Sequence, residues 1–284
     1  MSQRIVQGRA ALVMGAAAIA VGLAWAGASV AAQAPQAPPA APAGGRAGGA
    51  PAGQGRAGGA PAAPLTAQAA PAIDLTGNWV SVVNEDWRWR MVTPPKGDYA
   101  SVPLNAEGTK QADTWTPAMD GQCQAYGMAG LMRQPTRVRI SWQDPQTLKV
   151  ETDAGVQTRL LRFDPAAVKP TTRSMQGFSA ATWERAGGGG RRGGGPPPPG
   201  GNLKAVTTML TAGWLRKNGV PYSQDATVTE YFDRFTAPSG DEWFSVTTVV
   251  DDPKYLNQTF VTSSHFKKEP DGSKWSPSPC RVSS

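Results

Sequence analysis

Short runs of β-type sequence, separated by turn residues, follow one another along the chain from residue 75 onward. Runs rich in Val, Thr, Phe and Trp that are bounded by Gly, Pro, Asn or Asp are typical of strands. Many short strands at regular spacing, with little helical pattern between them, predict an all-β barrel or sandwich. We predict strands at residues 75–83, 87–92, 136–142, 147–152, 156–163, 178–184, 203–210, 227–235, 243–250 and 259–266.

Turn signals and a single helical pattern complete this outline. Asp144-Pro145 and Asp153-Ala154-Gly155 are tight-turn sequences, so residues 136–163 are expected to form an antiparallel meander. Residues 105–115 have a helical pattern with Asn105 as a possible N-cap, and residues 212–218 are compatible with one further turn.

Three stretches cannot contribute to a folded core: residues 1–32, an Ala/Pro/Gly tract at 33–72 and a Gly/Pro run at 186–201. The tract is expected to be disordered, because such a composition buries too little apolar surface to fold. The Gly/Pro run interrupts strand-like sequence, and we interpret it as an enlarged surface loop. The remaining roughly 200 residues, within 73–284, amount to one domain.

Residues 1–32 have the form of a secretory signal peptide. Arg4 and Arg9 precede an apolar stretch, and Val30-Ala31-Ala32 offers a small-residue cleavage site. A retained membrane anchor is the alternative, and no later segment approaches the roughly 18 apolar residues that span a bilayer. We predict a periplasmic or secreted bacterial protein that meets the membrane only through this segment, if it stays uncleaved.

The formal charge of +7 does not indicate a nucleic-acid partner. The three stretches that cannot contribute to the core contain no Asp or Glu, so the remaining residues are nearly neutral. Binding DNA or RNA needs basic residues clustered on a folded face. Those stretches carry Arg4, Arg9, Arg46, Arg56, Arg191 and Arg192.

Cys123 and Cys280 are the only cysteines, and an even pair in an exported chain favours a disulfide. Two separate buried thiols are the alternative, because the sequence cannot place their Cα atoms within bridging distance. His265 is the only histidine, which excludes a His-rich metal site. We expect neither a metal nor a cofactor.

Several motifs resemble those of a bacterial family. The segment Asp74-Leu75-Thr76-Gly77-Asn78-Trp79 contains the Gly-x-Trp opening of lipocalins, in which the Trp plugs the closed end of a barrel. Residues 85–91 and 246–255 are more specific, and together the motifs resemble a family of exported bacterial proteins without an established activity. The resemblance implies one antiparallel, lipocalin-like β-barrel of about 8–10 strands with one or two short helices. It implies no catalytic residues.

The sequence Trp-Arg-Trp-Arg-Met that begins at residue 87 is the strongest indication of a ligand site. In a strand, Trp87, Trp89 and Met91 would share one face, opposite Arg88 and Arg90. Burying tryptophan is favourable and burying an unpaired arginine is not, so we predict that the aromatic face lines the lumen as a wall for a planar or hydrophobic molecule. An ordinary core strand is the alternative.

Other polar and aromatic residues are candidates for binding or catalysis. Arg137, Arg139, Arg159 and Glu230 lie within predicted strands, where exposed faces explain most such charges. An Arg/Glu pair in a small lumen, such as Arg159 with Glu230, would instead anchor a ligand. Trp214 is a further pocket candidate. Asp86, Glu230 and His265 are the candidates for acid–base chemistry, with a surface or packed histidine as the alternative for His265.

Three functions remain open. The first is a monomeric, exported binding or carrier protein for a small hydrophobic or aromatic molecule, and we favour it on the resemblance in fold. The second is an enzyme on the same barrel, a hydratase, lyase or isomerase with a carboxylate as acid or base. The third is a cell-envelope module that binds another protein.

A disulfide between Cys123 and Cys280 predicts that the mature protein has no free thiol. Thiol titration of denatured, unreduced protein from the cell envelope is the measurement. Two reactive thiols per chain would contradict the pairing.

Overall fold

The computed structural model describes residues 65–119, 123–185 and 200–280. The predicted signal peptide, the Ala/Pro/Gly tract up to residue 64 and residues 186–199 of the Gly/Pro run lie outside the described residues. The strands are β1 (Gly77–Val82), β2 (Arg137–Asp144), β3 (Thr147–Thr152), β4 (Ala154–Gly155), β5 (Gln157–Arg162), β6 (Phe178–Arg185), β7 (Gly201–Thr208), β8 (Gly213–Trp214), β9 (Pro221–Tyr222), β10 (Thr227–Thr236), β11 (Glu242–Asp251), β12 (Phe260–Glu269) and β13 (Ser278–Pro279). The helices are α1 (Trp87–Arg90), α2 (Ala106–Ala112) and α3 (Met128–Leu131), and 3₁₀ turns lie at Pro117–Met119 and Cys123–Tyr126.

Nine of the described strands form a closed barrel in the order β1-β12-β11-β10-β7-β6-β5-β3-β2, and β2 pairs with β1 to close the ring. The predicted all-β barrel is confirmed, and it is consistent with the lipocalin-like fold that the resemblance implies. Alternate residues of each strand face the core, as in β3, where Leu148, Val150 and Thr152 are buried.

A ring of nine strands cannot alternate in direction throughout, because an odd number leaves two neighbours running the same way. This pair is β5 and β6, in which Leu161 and Arg162 lie opposite Ser179 and Ala180 in parallel register. Residues 163–177 return the chain to the end of the barrel at which β5 begins. The ring therefore contains one parallel pair that the predicted antiparallel barrel does not.

The predicted strand at residues 87–92 is wrong. The chain leaves the barrel after Val82, Asp86 adopts a left-handed backbone conformation (φ 52°), and the next four residues form α1. A left-handed residue turns the chain sharply, which ends an extended run. Trp87 and Met91 now share a face as residues i and i+4 of one helical turn. The other predicted runs became the nine strands of the barrel.

Trp79 fills one part of the barrel core, as the Gly-x-Trp opening implies. It is fully buried, its Nε1–H donates to the Leu75 carbonyl at 2.9 Å, and its ring meets Phe244 edge-on at 4.8 Å. Gly77 has φ +123°, a backbone conformation that side-chain-bearing residues rarely adopt. Glycine therefore permits this backbone conformation at the start of β1.

The opposite end of the barrel, where β10 and β12 begin, is covered by a second apolar cluster. Met128 of α3, Tyr222 of β9 and Val220 pack there against Val228 and Phe260. The cover includes the β8–β9 hairpin, into which the predicted turn at residues 212–218 falls.

The predicted helix cap at Asn105 is confirmed. Asn105 Oδ1 accepts the Gly108 N–H at 2.8 Å, which satisfies one of the free N–H groups at the start of α2.

Cys123 and Cys280 form a disulfide with their Cα atoms 5.1 Å apart, which confirms the predicted pairing. It ties the 3₁₀ turn before α3 to the end of the chain, where β13 pairs with β4. A disulfide fits a protein outside the cytoplasm. Among the helices in the described residues, none is long and apolar enough to cross a membrane.

The described end of the Ala/Pro/Gly tract, residues 65–72, lies against the barrel. Ala67 and Ala72 are buried, the Ala67 N–H donates to Gln146 Oε1 at 3.0 Å, and Trp183 Nε1–H donates to the Ala67 carbonyl at 3.1 Å. Contacts with the barrel therefore begin before residue 73, where the predicted domain starts.

We expect deletion of residues 33–64 to leave the free energy of unfolding unchanged and deletion of 33–72 to lower it by about 1–3 kcal/mol, because the longer deletion removes at least four hydrogen bonds to the barrel and two buried alanines. Denaturant unfolding of the two truncated proteins measures the difference. An equal stability for both would show that residues 65–72 add nothing.

Candidate functional site

The middle of the barrel interior is polar. On β10, Glu230 lies between the inward-facing Val228 and Phe232, and it pairs with Arg159 of β5. Arg159 donates from Nη1 to Glu230 Oε1 at 3.2 Å and from Nη2 to Oε2 at 2.5 Å. A guanidinium and a carboxylate tolerate burial when they are paired in this bidentate way. The lumen therefore holds the Arg/Glu pair that the sequence suggested.

This polar layer leaves no room for a ligand around the ion pair. The side chains of Arg159 and Glu230 are 1% and 0% exposed. The Ser179 and Thr207 hydroxyls hydrogen-bond to each other at 2.7 Å, and the buried Thr248 lies opposite Glu230 in register. A water-sized space beside these groups would leave part of their surface accessible. The role of Arg159 as a ligand anchor stays a prediction, and it would need the barrel to open.

Helix α1 carries the predicted aromatic residues outside the lumen. Trp87 is 63% exposed and Met91 is 53% exposed, while Trp89 is half-buried. The predicted lumen wall is therefore wrong, because a helical turn replaces the strand on which it depended. Arg90, placed on the opposite face in that prediction, is the buried residue of α1.

Arg90 and Arg133 are both buried and both paired. Arg90 donates from Nε to the Arg133 carbonyl at 2.8 Å and from Nη1 to Glu85, while its Nη2 has no partner among the residues that the structure describes. Arg133 donates from both terminal nitrogens to Asp86 Oδ2 at 3.2 Å, and its guanidinium lies over the Phe260 ring at 5.7 Å. The two acids before α1 thus each bind one buried arginine.

Arg216 is the exception. It lies in the loop of the β8–β9 hairpin, it is 2% exposed, and its Nε, Nη1 and Nη2 atoms have no hydrogen-bond partner among the described residues. Its guanidinium lies over the Trp89 ring at 4.5 Å. A buried guanidinium without hydrogen bonds costs several kcal/mol.

Two contacts place the hairpin loop beside α1. Asn218 Nδ2 donates to the carbonyls of Pro95 and Asp98, at 3.0 and 3.1 Å. Asp98 Oδ2 in turn accepts from Trp89 Nε1 at 3.1 Å and from Arg88 Nη2 at 2.6 Å. We call this assembly the arginine cluster: Arg88, Arg90, Arg133 and Arg216, with Glu85, Asp86, Asp98 and Trp89.

Burial dominates the electrostatics of the arginine cluster. Burial first, and then the positive charge of Arg133, lower the pKa of Arg216 to about 10, although Asp86 and Asp98 act to raise it. Burial also lowers the pKa values of Arg90 and Arg133. At neutral pH all three side chains are charged, so the folded protein bears the cost of burying them.

His265 joins the rim of this cluster. Its Nδ1 lies 3.3 Å from Glu85 Oε2, and both side chains are 32% exposed. Glu85 binds Arg90 through its other oxygen, so it is held from two sides. With Nδ1 protonated toward Glu85, Nε2 of His265 can accept a proton. Asp86, the second acid–base candidate, follows Glu85 in the chain and pairs with Arg133. The third candidate, Glu230, is enclosed in the lumen.

Trp214 lies elsewhere on the covered end of the barrel. It packs with Trp115 and Ala125, and it borders a cavity of about 130 Å³ that Tyr222 and Tyr255 also line. Within the described residues, no three His, Cys, Asp or Glu side chains gather where they could hold a metal ion.

Arg133 and Arg216 were not among the residues singled out from the sequence. Both lie outside predicted strands, so no period-2 alternation assigns them a face. The one available signal was the apolar context of Leu131-Met132-Arg133 and Trp214-Leu215-Arg216, which is typical of a buried charge.

Comparison with known proteins gave no match to a family model, to a curated protein or to a solved structure. The candidate function therefore rests on the geometry of the described residues.

We expect Arg216→Met to raise the free energy of unfolding of the ligand-free protein by about 1–3 kcal/mol, because methionine fills similar space without an unpaired charge. Arg90→Met should lower it by about 1–3 kcal/mol, because it breaks the bonds to Glu85 and the Arg133 carbonyl. Denaturant unfolding measures both. A clear loss of stability in Arg216→Met would mean that its contact with Trp89 outweighs the cost of burial.

Proposed function

We propose that the protein is an exported binding protein for a small hydrophobic or aromatic molecule, which it holds on α1 rather than in the lumen. The observation that carries this proposal is the exposed apolar surface of Trp87, Met91 and Val92, which are 63%, 53% and 56% exposed. Contiguous exposed apolar side chains on a folded protein mark binding surfaces. The lumen, by contrast, is filled around Arg159 and Glu230.

Trp89 connects α1 to the arginine cluster. Its Nε1–H donates to Asp98, and the guanidiniums of Arg88 and Arg216 lie over its ring at 4.6 and 4.5 Å. Flat aromatic side chains have few rotatable bonds and lose little conformational entropy when a planar molecule binds to them. The tryptophans of α1 therefore favour a small planar ligand.

The size of the surface favours a small molecule over a protein partner. A stable protein–protein interface involves roughly 20–30 residues on each side, whereas the apolar surface of α1 is formed by three side chains. The enzyme alternative has one specific observation in its favour, the contact between His265 and Glu85. Of the other two acid–base candidates, Asp86 is paired with Arg133, and Glu230 has no exposed surface through which a substrate could reach it.

We expect neutral planar probes such as indole and 2-naphthamide to quench tryptophan fluorescence on binding, and Trp87→Ala to weaken that binding at least tenfold. Trp87 is largely exposed, so its loss should change the free energy of unfolding by no more than about 0.5 kcal/mol. Trp275→Ala is the control, because Trp275 is a partly exposed tryptophan that lies outside α1, with Arg139 over its ring at 4.1 Å.

Equal affinity in the wild type and Trp87→Ala would place the binding surface away from α1. Native mass spectrometry of protein purified from its own cell envelope provides a second measurement. A co-purified small molecule supports the proposal, and a stoichiometric protein partner supports the interaction-module alternative instead.

A further inference from the structure

The arginine cluster has one more cation than it has carboxylates to pair with. Arg90 binds Glu85, Arg133 binds Asp86 and Arg88 binds Asp98. No carboxylate in the described residues binds Arg216, the fourth cation. The cluster therefore has a single unbalanced positive charge, and it lies on a buried side chain.

The guanidinium of Arg216 is buried, one of its faces is covered, and its edges make no hydrogen bond. The Trp89 ring lies against the guanidinium, and none of the three nitrogens has a partner in the part of the chain that the structure describes. The N–H bonds of a guanidinium point outward in that plane and match the two oxygens of a carboxylate. A planar anion lying in this plane would satisfy the unpaired donors and would neutralise the charge.

We propose that Arg216 binds the carboxylate of the ligand, so that the ligand class is a small planar monocarboxylate with its apolar part on α1. This inference rests on the proposed function, since it names the chemistry of the molecule that α1 holds. Arg133 and Arg90 are already paired with Asp86 and Glu85. They therefore add a favourable electrostatic potential for an anion but no second unpaired positive charge. One unbalanced cation favours a monoanion over a phosphate dianion.

Access to Arg216 involves Trp89. The guanidinium is 2% exposed, and the Trp89 ring is stacked on it, so the carboxylate reaches Arg216 when that ring shifts. Trp89 therefore reports on binding, because its indole changes environment when the anion arrives. Trp89→Phe removes this fluorescence signal and keeps an aromatic ring in place.

The test compares probes that differ only in charge or only in the apolar ring: 2-naphthoate, 2-naphthamide and acetate. Calorimetry and fluorescence titration at neutral pH measure their affinities for the wild type, Arg216→Met, Arg216→Lys and Arg139→Met. Arg139 is the matched control, because it also stacks on a tryptophan, Trp275. The ¹⁵N-labelled Nε–H signal of Arg216 gives a readout by NMR that does not depend on fluorescence.

We expect the wild type to bind 2-naphthoate at least tenfold more tightly than 2-naphthamide, and 2-naphthoate to shift the Arg216 Nε–H signal. Arg216→Met should lower the affinity for 2-naphthoate to that for 2-naphthamide and leave 2-naphthamide unchanged. Arg216→Lys should keep part of the preference, because lysine supplies the charge without the two-pronged geometry. Arg139→Met should behave as the wild type does.

The outcomes separate the two proposals. If both naphthyl probes bind equally well and Arg216→Met changes neither, the carboxylate inference is overturned while the proposed function stands. If acetate binds through Arg216 but neither naphthyl probe depends on Trp87, the anion site stands and the proposed function fails. If no probe binds the wild type, or if 2-naphthoate binds without moving the Arg216 signal, Arg216 is not an anion site.

Discussion

The point at which β1 leaves β12 determines where the arginine cluster lies. β1 is six residues long and pairs with β12 only from Glu269 to His265, although β12 continues to Phe260. Residues 260–264 at the start of β12 therefore have no partner in β1. Glu85 lies against His265, where the pairing stops, and Arg133 lies over Phe260. The arginine cluster occupies the place that a longer β1 would have filled.

Two systems of buried charge result, and they differ in balance. Inside the barrel, Arg159 and Glu230 neutralise each other through two hydrogen bonds, and the surrounding hydroxyls complete a filled layer between two apolar clusters. At the rim, three arginines are paired and Arg216 is not. A balanced buried pair can be purely structural. The unbalanced cation at the rim is the feature from which the proposed anion site is inferred.

The segment that contains Asp86 and α1 explains why its aromatic side chains lie outside the barrel. Asp86 turns the chain in a left-handed conformation, and α1 then presents Trp87 and Met91 to solvent while it directs Arg90 inward. The burial preference assumed from the sequence is thereby reversed. Inward placement of Arg90 is tolerated because Glu85 and the Arg133 carbonyl accept its N–H groups. Partners of this kind, supplied by distant parts of the chain, decide whether an arginine can be buried.

Local signals in the sequence were sufficient for the barrel strands, the Asn105 cap and the Cys123–Cys280 disulfide, because strand alternation, capping and an even cysteine count each depend on few residues. They named Arg159 and Glu230 as strand residues but favoured exposed faces for such charges, and only the closed barrel shows that the two side chains meet inside it. They failed at residues 87–92, where alternating Trp and Arg fits a strand or a helical turn equally well. Only the tertiary structure decided between these two conformations and brought Arg216 against Trp89. That contact joins residues 127 positions apart through the packing of a hairpin loop on α1, and no periodicity along the chain records it.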